Sequence, residues 1–223
     1  KLDIKRYVEL TTEQKKAYEQ MKKEAIMILE EETFTTVNVL TQLMRLQQVV
    51  AGSLRGPDGK IIKLKNNRLQ SVLDVIEETQ GKVVIFGVFH TDIETLAEAL
   101  QSKYGKNSTA TYYGNTPQSE RQNIITRFQD PDSELKYFIS NPMTGGRGIT
   151  LTEANVIIYY SNSYDLELRI QSEDRIHRIG QDNKCTYVDL VSPDTVDEHI
   201  LKTLLNKVKI SNEILGEVRQ WFD

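Results

Sequence analysis

Three side chains in the stretch LELRIQSEDRIHRIGQ (residues 166–181) have the chemistry to meet an anion. Gln171, Arg175 and Arg178 fall at i, i+4 and i+7, so a helix would align them on one face, with Leu168, Ile176 and Ile179 on a separate apolar stripe. Gly180 would end that helix. Like charges three positions apart on a helix repel by roughly 0.2–0.5 kcal/mol, a cost that a phosphate facing both guanidinium groups would offset. The same spacing admits a plainer arrangement in which Asp174 pairs with Arg178 at i, i+4 on a solvated face.

Positioning such a site takes a scaffold, and from residue 66 onward the sequence supplies one. Short apolar runs at 83–86 (VVIF), 109–113, 135–140, 156–160 and 186–191 read as strands, and helical spacing covers 68–79, 91–104 and 117–128. This alternation predicts an α/β fold with a mostly parallel sheet and helices on both faces. Ligands of such sheets bind at the carboxyl ends of the strands, and the segments there are GVFHTD, GNTPQS, NPMTGGRG and SNSYD. In the second, Thr116 stands at an N-cap and Pro117 at the first helical position, leaving N–H groups beside Gly114 for a phosphate or simply capping a helix. In the third, residues 144–148 begin with Thr144 and hold Gly145, Gly146 and Gly148. They allow either close backbone approach to a ligand or a tight turn. No G-x-x-x-x-G-K-[ST] phosphate loop occurs; Gly56, Gly59 and Lys60 do not have its spacing.

Before the alternation begins, helical periodicity covers 12–31, where Thr11 and Thr12 offer N-caps, and 36–51, so a helical hairpin is expected. Residues 52–64 read as a turn or small β-hairpin. After it, a helix is expected over 195–208, where Thr195 and Glu198 have capping-box spacing, and then a helical tail ending at Trp221 and Phe222. Asp197, Glu198 and His199 imitate part of a D-E-x-H motif. They follow SPDTV rather than an apolar strand, so they read as a helix start whose carboxylates favour the dipole.

The 223 residues are 39% hydrophobic and 27% charged, with net charge −4. That is enough for one sizeable core and an appendage. The charge balance confines any nucleic-acid contact to a local patch. No apolar run approaches the roughly 20 residues of a membrane span. The single cysteine, Cys185, forms no internal disulfide, and three scattered histidines make no metal cluster, so an intracellular domain with no metal site of its own is expected. With no initiator Met, the chain reads as a piece of a longer protein.

The string DRIHRIGQ, preceded by Gln171 and Glu173, resembles the last helicase motif of the Swi/Snf family of DNA-dependent ATPases, in helicase superfamily two. VVIFGVF, TATYYGNTPQSERQNIITRFQD, NPMTGGRGITLTEANVIIYYSNS and QSEDRIHRIGQ are similar, in order and spacing, to motifs of that family's second, C-terminal RecA-like lobe. The resemblance implies a linker and helical protrusion over 1–65, the lobe over 66–193 and a helical extension over 194–223. It further implies that ATP and Mg2+ are held mainly by an N-terminal RecA-like lobe outside this chain. Gln171, Arg175, Arg178 and Gly148 would face the nucleotide, with Arg175 and Arg178 catalytic and Arg178 an arginine finger. Gly114, Thr116, Thr144, Gly145 and Gly146 would touch the backbone of double-stranded DNA without reading its sequence.

Two positions depart from the family pattern, Met143 where Lys or Arg is frequent and Arg147 where an apolar residue is. YSNSYDLELRIQ replaces the common WNP segment, a form more similar to bacterial and phage members. A cytoplasmic or nucleoid setting is therefore expected and a nucleosome substrate is not. The chain alone is expected to be monomeric and inactive. Two rivals stand beside this reading: a non-catalytic nucleic-acid or protein interaction module derived from a helicase lobe, and a free-standing nucleotide-binding enzyme with residues 144–148 as phosphate cradle.

Overall fold

The computed structural model describes residues 1–31, 36–56, 58–145 and 148–206. They fall into two units, one of residues 1–6 and 69–190 and one of 7–68 together with 191 onward.

The larger unit is built on a six-stranded sheet of order β1-β8-β7-β4-β6-β5. Its strands are β1 (Leu2–Tyr7), β4 (Lys82–Phe86), β5 (Thr109–Tyr112), β6 (Tyr137–Ser140), β7 (Ala154–Tyr159) and β8 (Thr186–Val191). The pairs β4–β6, β4–β7, β5–β6 and β7–β8 are all parallel. Leu2 N–H donates to Cys185 O at 2.9 Å and Val8 N–H to Val191 O at 2.8 Å. The two bonds advance equally along both strands, so β1 runs parallel to β8. Both alternating sets of β4 side chains are buried, from Val83 to Phe86, as a sheet covered on both faces requires. One face holds Val84, Phe86, Phe138, Ile157 and Tyr159 in a cluster with Ile124 and Phe128 of α5 (Gln118–Gln129). The other helices of this unit are α3 (Arg68–Glu78), α4 (His90–Tyr104), a single turn α6 (Pro142–Gly145) and α7 (Leu166–Glu173). Strand register aligns Tyr112, Ser140, Phe86 and Tyr159 at one level, so the four following loops start together at the carboxyl edge.

The second unit contains α1 (Thr12–Glu31), α2 (Thr36–Ala51), the antiparallel hairpin β2 (Ser53–Arg55) and β3 (Ile61–Lys63), and α8 (Val196–Leu205). Helical hairpin and β-hairpin both form where the periodicity and the Gly-rich turn place them. Thr11 and Gln14 cap α1 reciprocally, Gln14 N–H donating to Thr11 Oγ1 at 3.2 Å and Thr11 N–H to Gln14 Oε1 at 3.1 Å. The same Gln14 donates to the carbonyls of Val49 and Val50 at 3.0 Å each, satisfying the end of α2.

At α8 the capping differs from the expected box. Thr195 Oγ1 accepts from Asp197 N–H, whereas Glu198 reaches back one residue further, to the N–H of Asp194. Asp194 adopts φ of +56°, which brings its amide within reach. Asp197 is a helix-start residue, buried and ion-paired with Arg68. The helix ends at Leu205 with Asn206 as its C-cap; residues 207–208 of the expected helix and the apolar tail at Trp221 and Phe222 lie outside the described residues.

Candidate functional site

The stretch 166–181 does not form one helix. Asp165 caps α7 by accepting from the N–H groups of Glu167 and Leu168, and the helix ends at Glu173. Beyond it the chain turns through 174–181 as a loop. The reason lies in the carbonyls. A continued helix would present Arg175 O and Ile176 O to residues four ahead, but Leu151 N–H takes Arg175 O at 2.9 Å and the Gln181 side chain takes Ile176 O at 3.3 Å. Hence Gln171, Arg175 and Arg178 share no helical face, and the apolar stripe divides: Ile176 is fully buried and Ile179 fully exposed.

The loop nevertheless holds both arginines together. Arg175 Nε donates to Gln171 O at 2.8 Å and its Nη1 to Ile149 O at 3.0 Å. Arg178 Nη1 donates to Thr150 Oγ1 at 2.9 Å rather than pairing with Asp174. Among the described residues neither guanidinium touches a carboxylate. Burial, and then the neighbouring Arg178, push the Arg175 pKa down, with Asp174 opposing. The Gln171 Oε1 atom is buried with no hydrogen-bond partner among the described residues. Asp174, Arg175, His177, Arg178, Ile179 and Gln181 line a cavity of about 460 Å³. Two neighbouring guanidinium groups in one cavity, neither in contact with a carboxylate among the described residues, fit an anion with several oxygens, such as a nucleotide phosphate.

Arg169, six residues before Arg175, lies in a different environment that the sequence reading missed. It is 5% exposed, and its Nη1 and Nη2 donate to Asp189 Oδ1 and Oδ2 at 2.5 and 3.0 Å. Its Nε meets Glu173 Oε1 at 2.7 Å, Nη1 meets Asn162 Oδ1 at 2.7 Å, and the guanidinium lies 3.7 Å from the Tyr159 ring centroid. Tyr159 OH and Ser172 Oγ are 2.8 Å apart, and Lys1 pairs with Glu173. This network fixes α7 to β7 and β8. A signal was available: Asp189 sits inside the apolar strand TYVDLV, and a buried carboxylate demands a cationic partner.

At the carboxyl edge the loops are tied to one another. Asn141 Nδ2 donates to Val88 O at 2.6 Å, Val88 N–H to Ser161 Oγ at 2.8 Å, and Ser161 Oγ to Asp92 at 2.7 Å. Thr116 is not the N-cap of α5; that position is Pro117, without a side-chain cap. The Thr116 hydroxyl instead accepts from Tyr113 N–H and donates to Thr111 O, both at 3.0 Å, closing the turn internally. Gly114 stands open: among the described residues, His90 Nε2 at 4.0 Å is the only atom a Cβ there would meet.

Thr144 and Gly145 belong to α6, and both amides bond to Asn141 O. A Cβ on Gly145 would overlap Ser140 Oγ and lie 2.9 Å from Ser140 Cβ and 3.2 Å from Phe86 Cε1. Packing therefore demands this glycine, whatever binds nearby. Gly146 and Arg147 lie outside the described residues. Gly148, at φ +72°, precedes Ile149 and Thr150, the acceptors of the two arginines.

Among the described residues no group of three His, Cys, Asp or Glu side chains could hold a metal ion. No described helix is long and apolar enough to cross a membrane.

Residues 64–180 match the family model of the helicase conserved C-terminal domain, over half of the chain, and the chain belongs to that family. Its relatives place it more narrowly, as a Swi/Snf C-terminal lobe. The ATP-dependent helicase fft2 of Schizosaccharomyces pombe is 31% identical over 149 residues, covering 67% of this chain and 11% of that protein. The human SWI/SNF-related matrix-associated actin-dependent regulator of chromatin subfamily A member 1 is 25% identical over 232 residues, covering 98% of this chain and 22% of that protein. Among solved structures, the C-terminal part of the Fun30 ATPase domain is similar with a TM-score of 0.73 at 18% identity, covering 100% of this chain and 96% of that one. The Sulfolobus solfataricus SWI2/SNF2 ATPase core in complex with dsDNA has a TM-score of 0.73 at 22% identity, covering 99% and 47%. The fold is that of a RecA-like lobe.

Proposed function

We propose that this chain is the C-terminal motor lobe of an ATP-driven double-stranded DNA translocase, and that it presents Arg175 and Arg178 to ATP held mainly by an N-terminal RecA-like lobe outside the chain. The observation that carries the reading is the pair of guanidinium groups, adjacent, lining one cavity and without a carboxylate partner among the described residues. The sequence has no phosphate loop, and in this reading that loop and the Mg2+ carboxylates belong to the other lobe. Phosphoryl transfer needs positioning and charge neutralisation more than covalent chemistry. Arg178, with one hydrogen bond to Thr150, keeps most of its N–H donors for phosphate oxygens. Arg175, half-buried and bound to two carbonyls, is the more fixed of the two.

DNA backbone contacts are proposed for the carboxyl-edge loops at Gly114 and Thr144, which the shared strand register brings to one edge; Asn141 braces the second of them against Val88. Thr116 and Gly145 then support these loops from within. Residues 1–65 are proposed as linker and protrusion, and 194–223 as an extension. The bacterial or phage-like affiliation rests on the segment 160–171. Alone, the chain is expected to bind ATP weakly and hydrolyse none.

The test is Arg178→Ala and Arg178→Lys in the full-length ATPase. An arginine finger contributes about 10³- to 10⁵-fold in turnover, and Lys lacks the planar fork that meets two oxygens. Both variants should stay folded, bind DNA and lose DNA-stimulated hydrolysis. Retention of more than about a tenth of turnover, a loss below roughly 1.4 kcal/mol, would refute the assignment.

A further inference from the structure

One side chain that the proposed chemistry does not use makes several of the hydrogen bonds that hold the arginine loop. The amide nitrogen of Gln181 donates to Thr152 O at 2.9 Å and Ala154 O at 2.8 Å, and more weakly to Ile176 O at 3.3 Å. Its Oε1 accepts from Asn183 N–H at 2.9 Å. Two protons thus serve three carbonyls, one just before β7, one at its first residue and one inside the loop. Main-chain bonds from Leu151 to Arg175 and from Gln181 to Arg178 run alongside. Both arginines find their acceptors on the approach to β7, at Ile149 O and Thr150 Oγ1. The register of the loop against residues 149–154 therefore decides where both guanidinium groups stand, and the Gln181 amide sets that register.

We propose that Gln181 is a positioning residue for Arg178 and Arg175, a clasp that turns 174–181 from helix into the loop that presents them. The proposal rests on the reading of Arg178 as an ATP-facing group. Only an amide of this length serves. Glu would aim oxygens at three carbonyls, and Asn is one methylene short. Ala would leave the carbonyls of buried Ala154 and Ile176 without this donor.

The experiment compares Gln181→Ala, Gln181→Glu, Arg178→Ala and the double variant Gln181→Ala/Arg178→Ala in the full-length ATPase. It reads DNA-stimulated kcat and KM for ATP, the urea unfolding midpoint, and amide hydrogen exchange over 174–181. Displacement of a catalytic group by about 1 Å can cost on the order of 100-fold. Gln181→Ala and Gln181→Glu should therefore lower kcat about 10- to 100-fold, while KM stays within about threefold and exchange over 174–181 accelerates. The double variant should be slower than Arg178→Ala by a much smaller factor than Gln181→Ala costs alone, because only Arg175 is left to position. Gln181→Ala turnover within about twofold of wild type, or losses that multiply in the double variant, would overturn the clasp. An active Arg178→Ala would instead remove the underlying reading of the site. Amide exchange then decides the clasp by itself, accelerated exchange in Gln181→Ala supporting it and unchanged exchange overturning it.

Discussion

Arg169 and Arg178 stand nine positions apart on one short stretch, and the structure gives them opposite surroundings. Arg169 is enclosed, with Asp189, Glu173 and Asn162 accepting from it and the Tyr159 ring against its face. Arg178 is exposed, with a neutral hydroxyl as its acceptor. An enclosed arginine with its charge matched is a structural fastener. One whose charge is left unmatched, beside a second like it, is available to an anion from outside. The same contrast divides the glycines at the carboxyl edge. Neighbouring side chains require Gly145, while Gly114 faces open space.

The largest effect that could break this comparison is on turnover. Arg178→Ala should cost about 4–7 kcal/mol in transition-state stabilisation while leaving the urea midpoint unmoved. A shifted midpoint with intact turnover would make Arg178 a second fastener. Arg169→Ala should do the reverse, destabilising the fold by about 3–5 kcal/mol by stranding the Asp189 carboxylate, as urea unfolding measures. Replacing the pair together, Arg169→Met with Asp189→Leu, should recover most of that loss, since no buried charge remains. Should the double variant be as unstable as the single one, the ion pair is not what holds α7.

Next in size, Gly145→Ala should cost about 1–3 kcal/mol of stability through overpacking against Ser140 and Phe86. Stability at the wild-type level would return Gly145 to a ligand-facing role. Gly114→Glu meets no such obstacle, and its fold should be unperturbed. Its effect should appear in DNA affinity instead, weakened about threefold to tenfold regardless of sequence and with a steeper penalty at low salt. Unchanged affinity would move the DNA track away from this loop. The smallest effect should come from Asp174→Ala. An exposed i, i+4 pair is worth at most about 0.5 kcal/mol, and here Arg178 makes none, so unfolding should not register the change.

Local pattern determined a good deal of this protein. The apolar runs at 83–86, 109–113 and 186–191, and the helical periodicity around them, specify strands and helices through side-chain spacing. That spacing is intrinsic to each segment. The string DRIHRIGQ, with the strings that precede it, pointed to the family through residue order and spacing. Gly-rich and Asn-rich segments after the strands located the carboxyl edge. Asp189 in an apolar strand even announced a buried cation, though not which one.

Tertiary structure decided the rest, wherever a hydrogen-bonding group had two available partners. Spacing let 166–181 run on as a helix, but Leu151 and Gln181 capture the carbonyls that the helix needed, and both bonds come from elsewhere in the fold or from a side chain folded back. Thr116 could have capped α5, yet Tyr113 and Thr111 engage its hydroxyl. The first strand, LDIKRY, has three charges in six residues and little strand signal of its own. It exists because the edge of β8 offers unpaired backbone groups, a fact about a segment more than 170 residues away that no local window contains.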